Sequence, residues 1–513
     1  MTQQSGRDAS TGPNLEIPLS IDSQSRRPLV EQIADQLLAM IRHGRLSVGD
    51  HLPPTRELSV QLGVSRNTVV AAYNKLISED WLEASGRGGT RVALHSHRMV
   101  RRSSPKRNGD AAPNSKQPTL GQAATAARAG RFNLFDPVRS RLVLDFRVGM
   151  TDRSLYPYDE WTKCVKDRLS RSARGFTEYG NPLGDAELRS AIAHLVRLQR
   201  GVVCSSDQVI VTNGIQQGLN LAARLLIEAD SVVAVETPTY ASAAGIFASH
   251  GARLVACPIG TEGIDCASLP EQGARAMYVT PSHQFPLGST MPLDTRLALL
   301  DWARTTGTYI LEDDYDSDFR YRGAPLQALA SLDSHELVIY LGTFSKTMGA
   351  GLRLGYMIVP PSLVHPVSAL KDLMDHGTSW LEQVALADFI KLGHYERHVR
   401  RVKAAYRGKC ELLANALGHL VSDSTIMGGD GGMHLTWVLP ESLPIARELQ
   451  RELEVLGVGV YTLEEGPALC IGTSDLMERV LLFGYPCLSE HQIVAAIDIV
   501  RDVLQAIQAR SDR

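Results

Sequence analysis

Residues 341–356 read Leu-Gly-Thr-Phe-Ser-Lys-Thr-Met-Gly-Ala-Gly-Leu-Arg-Leu-Gly-Tyr, and far upstream residues 49–76 carry the pattern of a helix, a tight turn and a second helix. No single core satisfies both patterns. A lysine among hydroxyls, glycines and one arginine suits a protein that holds an aldehyde as a Schiff base and grips a phosphate. A helix pair with a basic second helix suits the major groove of duplex DNA. At 513 residues the chain is long enough to house both as separate domains. Charge divides the same way. Residues 1–130 hold 17 Lys and Arg against 11 Asp and Glu, an excess of +6, so residues 131–513 carry −9 of the overall −3. A basic leading part ahead of an acidic body fits a nucleic-acid-binding module joined to an enzyme-like domain.

The chain is expected to run as a polar lead over residues 1–23, a small domain over 24–94, a linker over 95–141 and an α/β domain over 142–510. In the small domain, Leu29, Ile33, Leu37 and Ile41 recur at helical spacing. Gly63 is placed to end a second helix and Ser65 to cap a third. Residues 81–84 and 90–93 read as two strands joined by Ser85-Gly-Arg-Gly-Gly89, a β-ribbon or wing. Residues 95–141 turn to Arg, Ser, Pro, Asn, Ala and Gly, the composition of a linker. Beyond them, helices such as 185–200 and 216–228 alternate with apolar strands at 208–212, 232–236, 253–257, 276–280, 308–312, 337–341 and 354–359. That alternation predicts a mainly parallel sheet. From Ser379 onward a long helical stretch, short strands and a closing helix near 490–508 predict a small α+β subdomain.

The seven cysteines form no CxxC pair and have no histidine at ligand spacing, so neither disulfide nor metal chemistry is expected. Met1 to Ser20 is polar, and no run approaches the ~18 apolar residues of a membrane span. A cytoplasmic protein is expected.

The segment from Gly49 to Leu76, with the wing after it, resembles GntR-type winged helix-turn-helix domains. Leu58, Leu62, Val64, Val69 and Leu76 supply the shared core of the helix pair. Ser65, Arg66, Asn67 and Thr68 lie at the start of the recognition helix, where side chains reach base edges. Arg56, Arg87 and Arg91 are placed for phosphate or minor-groove contact. The partner implied is a double-stranded DNA operator.

Downstream, motifs follow in order: Tyr179-Gly-Asn-Pro-Leu-Gly184, Thr212-Asn-Gly-Ile-Gln-Gln217, Glu236-Thr-Pro-Thr-Tyr240, Thr280-Pro-Ser-His-Gln-Phe-Pro-Leu-Gly288, Glu312-Asp-Asp-Tyr-Asp-Ser-Asp-Phe319 and Gly342-Thr-Phe-Ser-Lys-Thr347. This order resembles fold-type I, aspartate-aminotransferase-like enzymes that use pyridoxal 5′-phosphate. The resemblance implies that Lys346 carries the cofactor and acts as the catalytic base. It implies that Asp313 pairs with the pyridine nitrogen, Tyr315 meets the phenolic oxygen and Tyr240 stacks on the ring. Gly214, Ile215 and Gln216 open a helix, whose N-terminus binds phosphate well, and Thr343, Ser345 and Arg353 complete that site. His283 and Gln284 fall where ordinary aminotransferases carry an asparagine near the ring oxygen. The acidic run leaves open which of Asp313, Asp314, Asp316 and Asp318 is the buried carboxylate.

The chain departs from the enzyme pattern at the substrate clamp. Leu482 in Val480-Leu-Leu-Phe-Gly-Tyr485 stands where many such enzymes hold a substrate carboxylate with arginine. Arg479 is out of register, and Ser242 stands where GABA-sensing relatives place another arginine. Taken together, the modules resemble the MocR/GabR family of bacterial transcriptional regulators. That resemblance implies a head-to-tail homodimer whose aminotransferase-like domain senses an amine, an amino acid or pyridoxal phosphate itself, with weak or no transaminase activity. Two other readings stay open at this point: an active aminotransferase with a DNA-binding appendage, and a DNA-binding protein with a vestigial cofactor site.

Overall fold

The computed structural model describes residues 18–22, 25, 27–42, 45–84, 89–93, 121, 142–171, 174–260, 263–323, 326–464, 466–472 and 475–511. The expected linker, apart from residue 121, therefore lies outside the described residues. The chain divides into two compact units, Met1–Pro118 and Thr119–Arg513.

The first unit is built from α1 (Leu29–Arg42), α2 (Thr55–Leu62), α3 (Arg66–Ser78), β1 (Leu82–Ala84) and β2 (Thr90–Val92). Spacing dictates the buried face of α1, where Ile33, Leu37 and Ile41 are enclosed together with Ala34. Leu58, Val69 and Leu76 are buried beside them, while Leu62 and Val64 pack against the edge of the same cluster. Gly63 takes the left-handed conformation, φ 63° and ψ 30°, and stops α2. Ser65 caps α3 by accepting a hydrogen bond from the Thr68 amide at 3.1 Å. The two strands pair antiparallel, with Glu83 opposite Arg91.

The second unit centres on an eight-stranded sheet. Its strands are β3 (Val209–Thr212), β4 (Val232–Thr237), β5 (Arg253–Gly260), β6 (Gly263–Ile264), β7 (Ala276–Val279), β8 (Tyr309–Asp314), β9 (Val338–Thr343) and β10 (Gly355–Ile358). They lie in the order β3-β10-β9-β8-β7-β4-β5-β6. The pairs among β5, β4, β7, β8 and β9 are parallel. β10 runs antiparallel to both of its neighbours, and β6 runs antiparallel to β5. The sheet is thus mixed with a parallel centre, and the apolar runs match this placement because both faces are covered. Every residue of β3, β7 and β10 is buried.

A smaller sheet follows, in which β11 (Thr425–Met427), β12 (His434–Val438), β13 (Tyr461–Thr462) and β14 (Val480–Gly484) lie in the order β11-β12-β14-β13. The helices His394–Leu420 and Glu490–Ser511 pack on it. Along β14, Leu481 and Phe483 join Trp437 and Tyr406 in that core. Val480 and Leu482, on the opposite face, join Phe285, Leu463 and Ala468 instead. No helix among the described residues is long and apolar enough to cross a membrane.

Leu58 is fully buried in the first unit. Leu58→Ala should cost about 2–5 kcal/mol of local stability. Hydrogen exchange over residues 29–92 checks this, and unchanged protection would refute it.

Candidate functional site

A cavity of about 290 Å³ opens at the ends of the central strands. This is where ligands gather in open α/β sheets, because loops diverge there and helix N-termini point inward. The alternation of β8 decides which acidic residue faces it. Asp313 lines the cavity and is 4% exposed. Its Oδ2 accepts a hydrogen bond from the Tyr278 hydroxyl at 2.6 Å, while its Oδ1 is buried without a partner. Burial pushes the Asp313 carboxyl up to about 7, opposed by the Tyr278 hydrogen bond. Asp314 points the other way and is held by Arg200 at 2.7 Å, Ser317 at 2.9 Å and the Tyr340 hydroxyl. Asp316 pairs with His283 at 2.9 Å, and Asp318 accepts from the Tyr395 hydroxyl at 3.1 Å. All four carboxylates of the run therefore have assigned neighbours, and among them Asp313 alone lines the cavity.

Lys346 also lines the cavity, 3.4 Å from the Gly149 carbonyl oxygen, to which its Nζ donates. Desolvation lowers its pKa, against the pull of Asp316 and Asp313. Burial thus favours the neutral amine, the nucleophilic form. A Cβ on Gly149 would sit 2.8 Å from that nitrogen. The lysine tip could shift to relieve that contact, but the φ of 84° at this position favours glycine in any case.

At the other end, α4 (Ile215–Leu226) begins behind Gly214, which has φ 76°. A Cβ there would lie 2.8 Å from an Arg353 guanidinium nitrogen and would push the arginine off this position, and the positive φ favours glycine independently. Arg353 itself is left-handed, φ 54° and ψ 36°, and donates to the Asn213 carbonyl at 2.9 Å. Ile215, Gln216, Thr343 and Ser345 line the same end. This is a concave site with a helix N-terminus, hydroxyls and a cation, the donor set of a phosphate site.

Tyr240 and Phe285 flank the cavity edge to face, with ring centres 5.7 Å apart. The Tyr315 hydroxyl is 3.0 Å from His283 Nδ1. His283 is not itself a lining residue and sits behind Tyr315. Gln284 turns away and holds its own loop, donating to the Pro238 and Phe285 carbonyls at 2.8 Å. The structure thus brings Lys346, Asp313, Tyr315, Tyr240, Ile215, Gln216, Thr343, Ser345 and Arg353 to one space, with Gly214 beneath it and His283 outside it. Tyr278, Phe285 and His434 line it as well, and sequence reasoning missed them. One signal pointed to Tyr278: a tyrosine in an apolar buried strand needs a partner for its hydroxyl. His283, Asp316 and His434 bring three potential metal-ligand atoms within 4.8 Å of one another. The His283–Asp316 hydrogen bond, and another from His434 Nε2 to the Pro286 carbonyl at 2.7 Å, already occupy much of that capacity.

In the first unit, Arg56, Arg66 and Asn67 are exposed, and Ser65 and Thr68 are tied in the α3 cap. Arg66 Nε lies 3.5 Å from the Thr55 hydroxyl. Arg91 is held by Glu83 at 2.6 Å, so DNA contact there competes with an ion pair. Arg87 lies outside the described residues.

Two family models match the chain: bacterial regulatory proteins of the gntR family over residues 29–92, and aminotransferase class I and II over residues 147–481. The "Probable rhizopine catabolism regulatory protein MocR" of Rhizobium meliloti is 35% identical over 81% of this chain and 83% of its own length. The chain belongs to the MocR family of transcriptional regulators. The pyridoxine biosynthesis transcriptional regulator PdxR of Corynebacterium glutamicum is 28% identical over 87% of this chain and 91% of its own. Among solved structures, the α-aminoadipate aminotransferase LysN from Thermus thermophilus superposes with a TM-score of 0.66 at 26% identity. The match covers 76% of this chain and 100% of that one. The GntR-type unit of this MocR-family chain binds DNA, and the aminotransferase class I and II fold implies dependence on pyridoxal phosphate.

The Asp313 shift has a sign that can be tested. A carboxyl with a raised folded pKa keeps its proton in the folded chain after the unfolded chain has lost it. Its contribution is therefore lost as pH rises from about 4 to about 7. Asp313→Asn should stabilise the ligand-stripped protein relative to the parent, with a gain that grows across this window and then levels off. Melting temperatures of both from pH 4 to 8 check this, and a difference independent of pH would refute it.

Proposed function

We propose that this protein is a pyridoxal 5′-phosphate-binding transcriptional regulator whose aminotransferase-like domain is a sensor. It works in the cytoplasm as a head-to-tail homodimer on operator DNA, with a DNA-binding domain over 24–94, a linker over 95–141 and the sensor over 142–510. The observation that carries the reading is one cavity lined by Lys346, Asp313 and Arg353 at a helix N-terminus, with one Asp313 oxygen buried and without a partner.

The residues fit the cofactor's chemistry. A buried acceptor without a partner suits a ring N–H donor. A cation, two hydroxyls and the first amides of α4 suit a phosphate. When bound, pyridoxal phosphate supplies an aldehyde that takes up primary amines and a ring that withdraws electrons. Lys346 would hold it through an amine whose neutral form burial favours. Asp313 would accept a hydrogen bond from the ring N–H, Tyr315, with His283 behind it, would serve the phenolic oxygen, and Tyr240 would pack against the ring. Because Leu482 replaces the carboxylate clamp, nothing in β14 orients an α-amino acid for sustained turnover. The ligand is an amine metabolite or the cofactor itself. It changes DNA affinity only if it binds two arrangements of the dimer unequally.

The purified protein should show a near-visible absorbance band fixed by borohydride. Lys346→Ala should abolish the fixed adduct, and its persistence would place the cofactor on another lysine. On the DNA side, Arg66→Ala should weaken specific operator binding by about 1–3 kcal/mol if the side chain reads a base. Affinity should also fall steeply with salt. Footprinting that shows a single short, salt-insensitive site would refute the dimeric reading. Keto-acid formation at ordinary aminotransferase rates, with no ligand effect on operator affinity, would favour an enzyme with a DNA-binding appendage.

A further inference from the structure

Cations are scarce in the cavity. Among its described lining residues only Lys346 and Arg353 are cationic. Arg353 stands at the helix N-terminus, against Gly214 and the Asn213 carbonyl. A phosphate held there uses it. The two arginines nearest in sequence to the opposite wall are engaged elsewhere. Arg147 lies 3.4 Å from Asp145 and 3.4 Å from the Tyr461 hydroxyl. Arg479 donates to the Pro440 and Leu443 carbonyls, at 3.2 and 2.6 Å.

Behind this wall lies an apolar cluster. Val480 and Leu482 share one face of β14 and cluster with Phe285, Leu463 and Ala468. Val148, Tyr240 and Tyr315 pack against that cluster and line the cavity, which ties the apolar patch to the ligand space. Besides the Tyr240 and Tyr315 hydroxyls, which can donate or accept, the polar groups on this side offer acceptors. The Gly149 carbonyl oxygen accepts from Lys346. His434 lines the cavity and donates through Nε2 to the Pro286 carbonyl, so its other ring nitrogen is left as an acceptor. Burial holds this imidazole neutral, with a pKa lowered to about 3. A carboxylate brought here would lose its water and find no cation among the described residues of this wall, while ammonium and hydroxyl groups would find acceptors.

We infer that the ligand sensed beside Lys346 is a primary amine that carries no carboxylate. This rests on the reading of the cavity as a cofactor-loaded sensor, and it narrows the ligand class that reading admits.

The test titrates the full-length, cofactor-loaded protein with matched pairs that differ by the carboxylate: ethanolamine and L-serine, tyramine and L-tyrosine, putrescine and L-ornithine. The readouts are the shift of the near-visible band and the change in operator affinity. At least one amine should bind about tenfold or more tightly than its amino acid. Amino acids that bind as tightly as their amines, or more tightly, would overturn the inference. So would silence from every pair, even in a protein that keeps its band and its Lys346 adduct, which leaves the sensor reading standing. Absence of the band from the start would instead bring down the sensor reading and this inference with it. Leu482→Arg should raise amino-acid affinity by about tenfold while the amines lose theirs. If that variant does not fold, the parent titrations decide alone.

Discussion

Enclosing Asp313 in protein costs free energy that a hydrogen-bond donor in the cavity recovers. One oxygen has Tyr278; the other has nothing. The arrangement persists because the neighbouring elements are fixed by other means. Asp314 is anchored to Arg200 on the reverse side of the strand, and Glu312 accepts from the Leu329 and Ala330 amides at 2.8 and 2.9 Å. β8 is thereby pinned through both flanking carboxylates, and the middle one is presented to the ligand. A strand with a period of two converts three consecutive acids into two structural ties and one functional group.

The positions of Lys346 and Arg353 depend on the same frame. β9 delivers Thr343 and then Ser345 and Lys346, while the return into β10 carries Arg353 back against the β3–α4 turn. The antiparallel insertion of β10 between β3 and β9 lets one loop reach both ends of the cavity. A fully parallel sheet would require a long crossover at that point.

Much of this was legible in the sequence, for physical reasons. The apolar runs and their spacing announced the strands, and Gly63 with Ser65 marked the helix-turn-helix to the residue. The cavity-facing member of the acidic run could not be read, because Asp313, Asp314 and Asp316 are all buried and Asp318 half-buried, and strand phase separates Asp313 from Asp314 alone. The direction of β10 was equally hidden, since an apolar run reads alike in either direction. His283 illustrates a third limit. Its motif sits beside the site in sequence, yet the side chain packs against Asp316 and reaches the cavity only through Tyr315. Leu482 was recognised by its place in a strand, and the structure adds what it touches: a patch of apolar side chains continuous with the ligand space.

Arg353 adopts a left-handed backbone that costs a non-glycine residue about 1 kcal/mol. Replacement by glycine would relieve that strain while deleting the guanidinium. Within the fold this arginine has its bond to the Asn213 carbonyl to set against the strain, so the two nearly offset. A lineage that stopped needing the anion grip would lose little by shedding it, which leaves what the cavity binds as the larger reason to keep it.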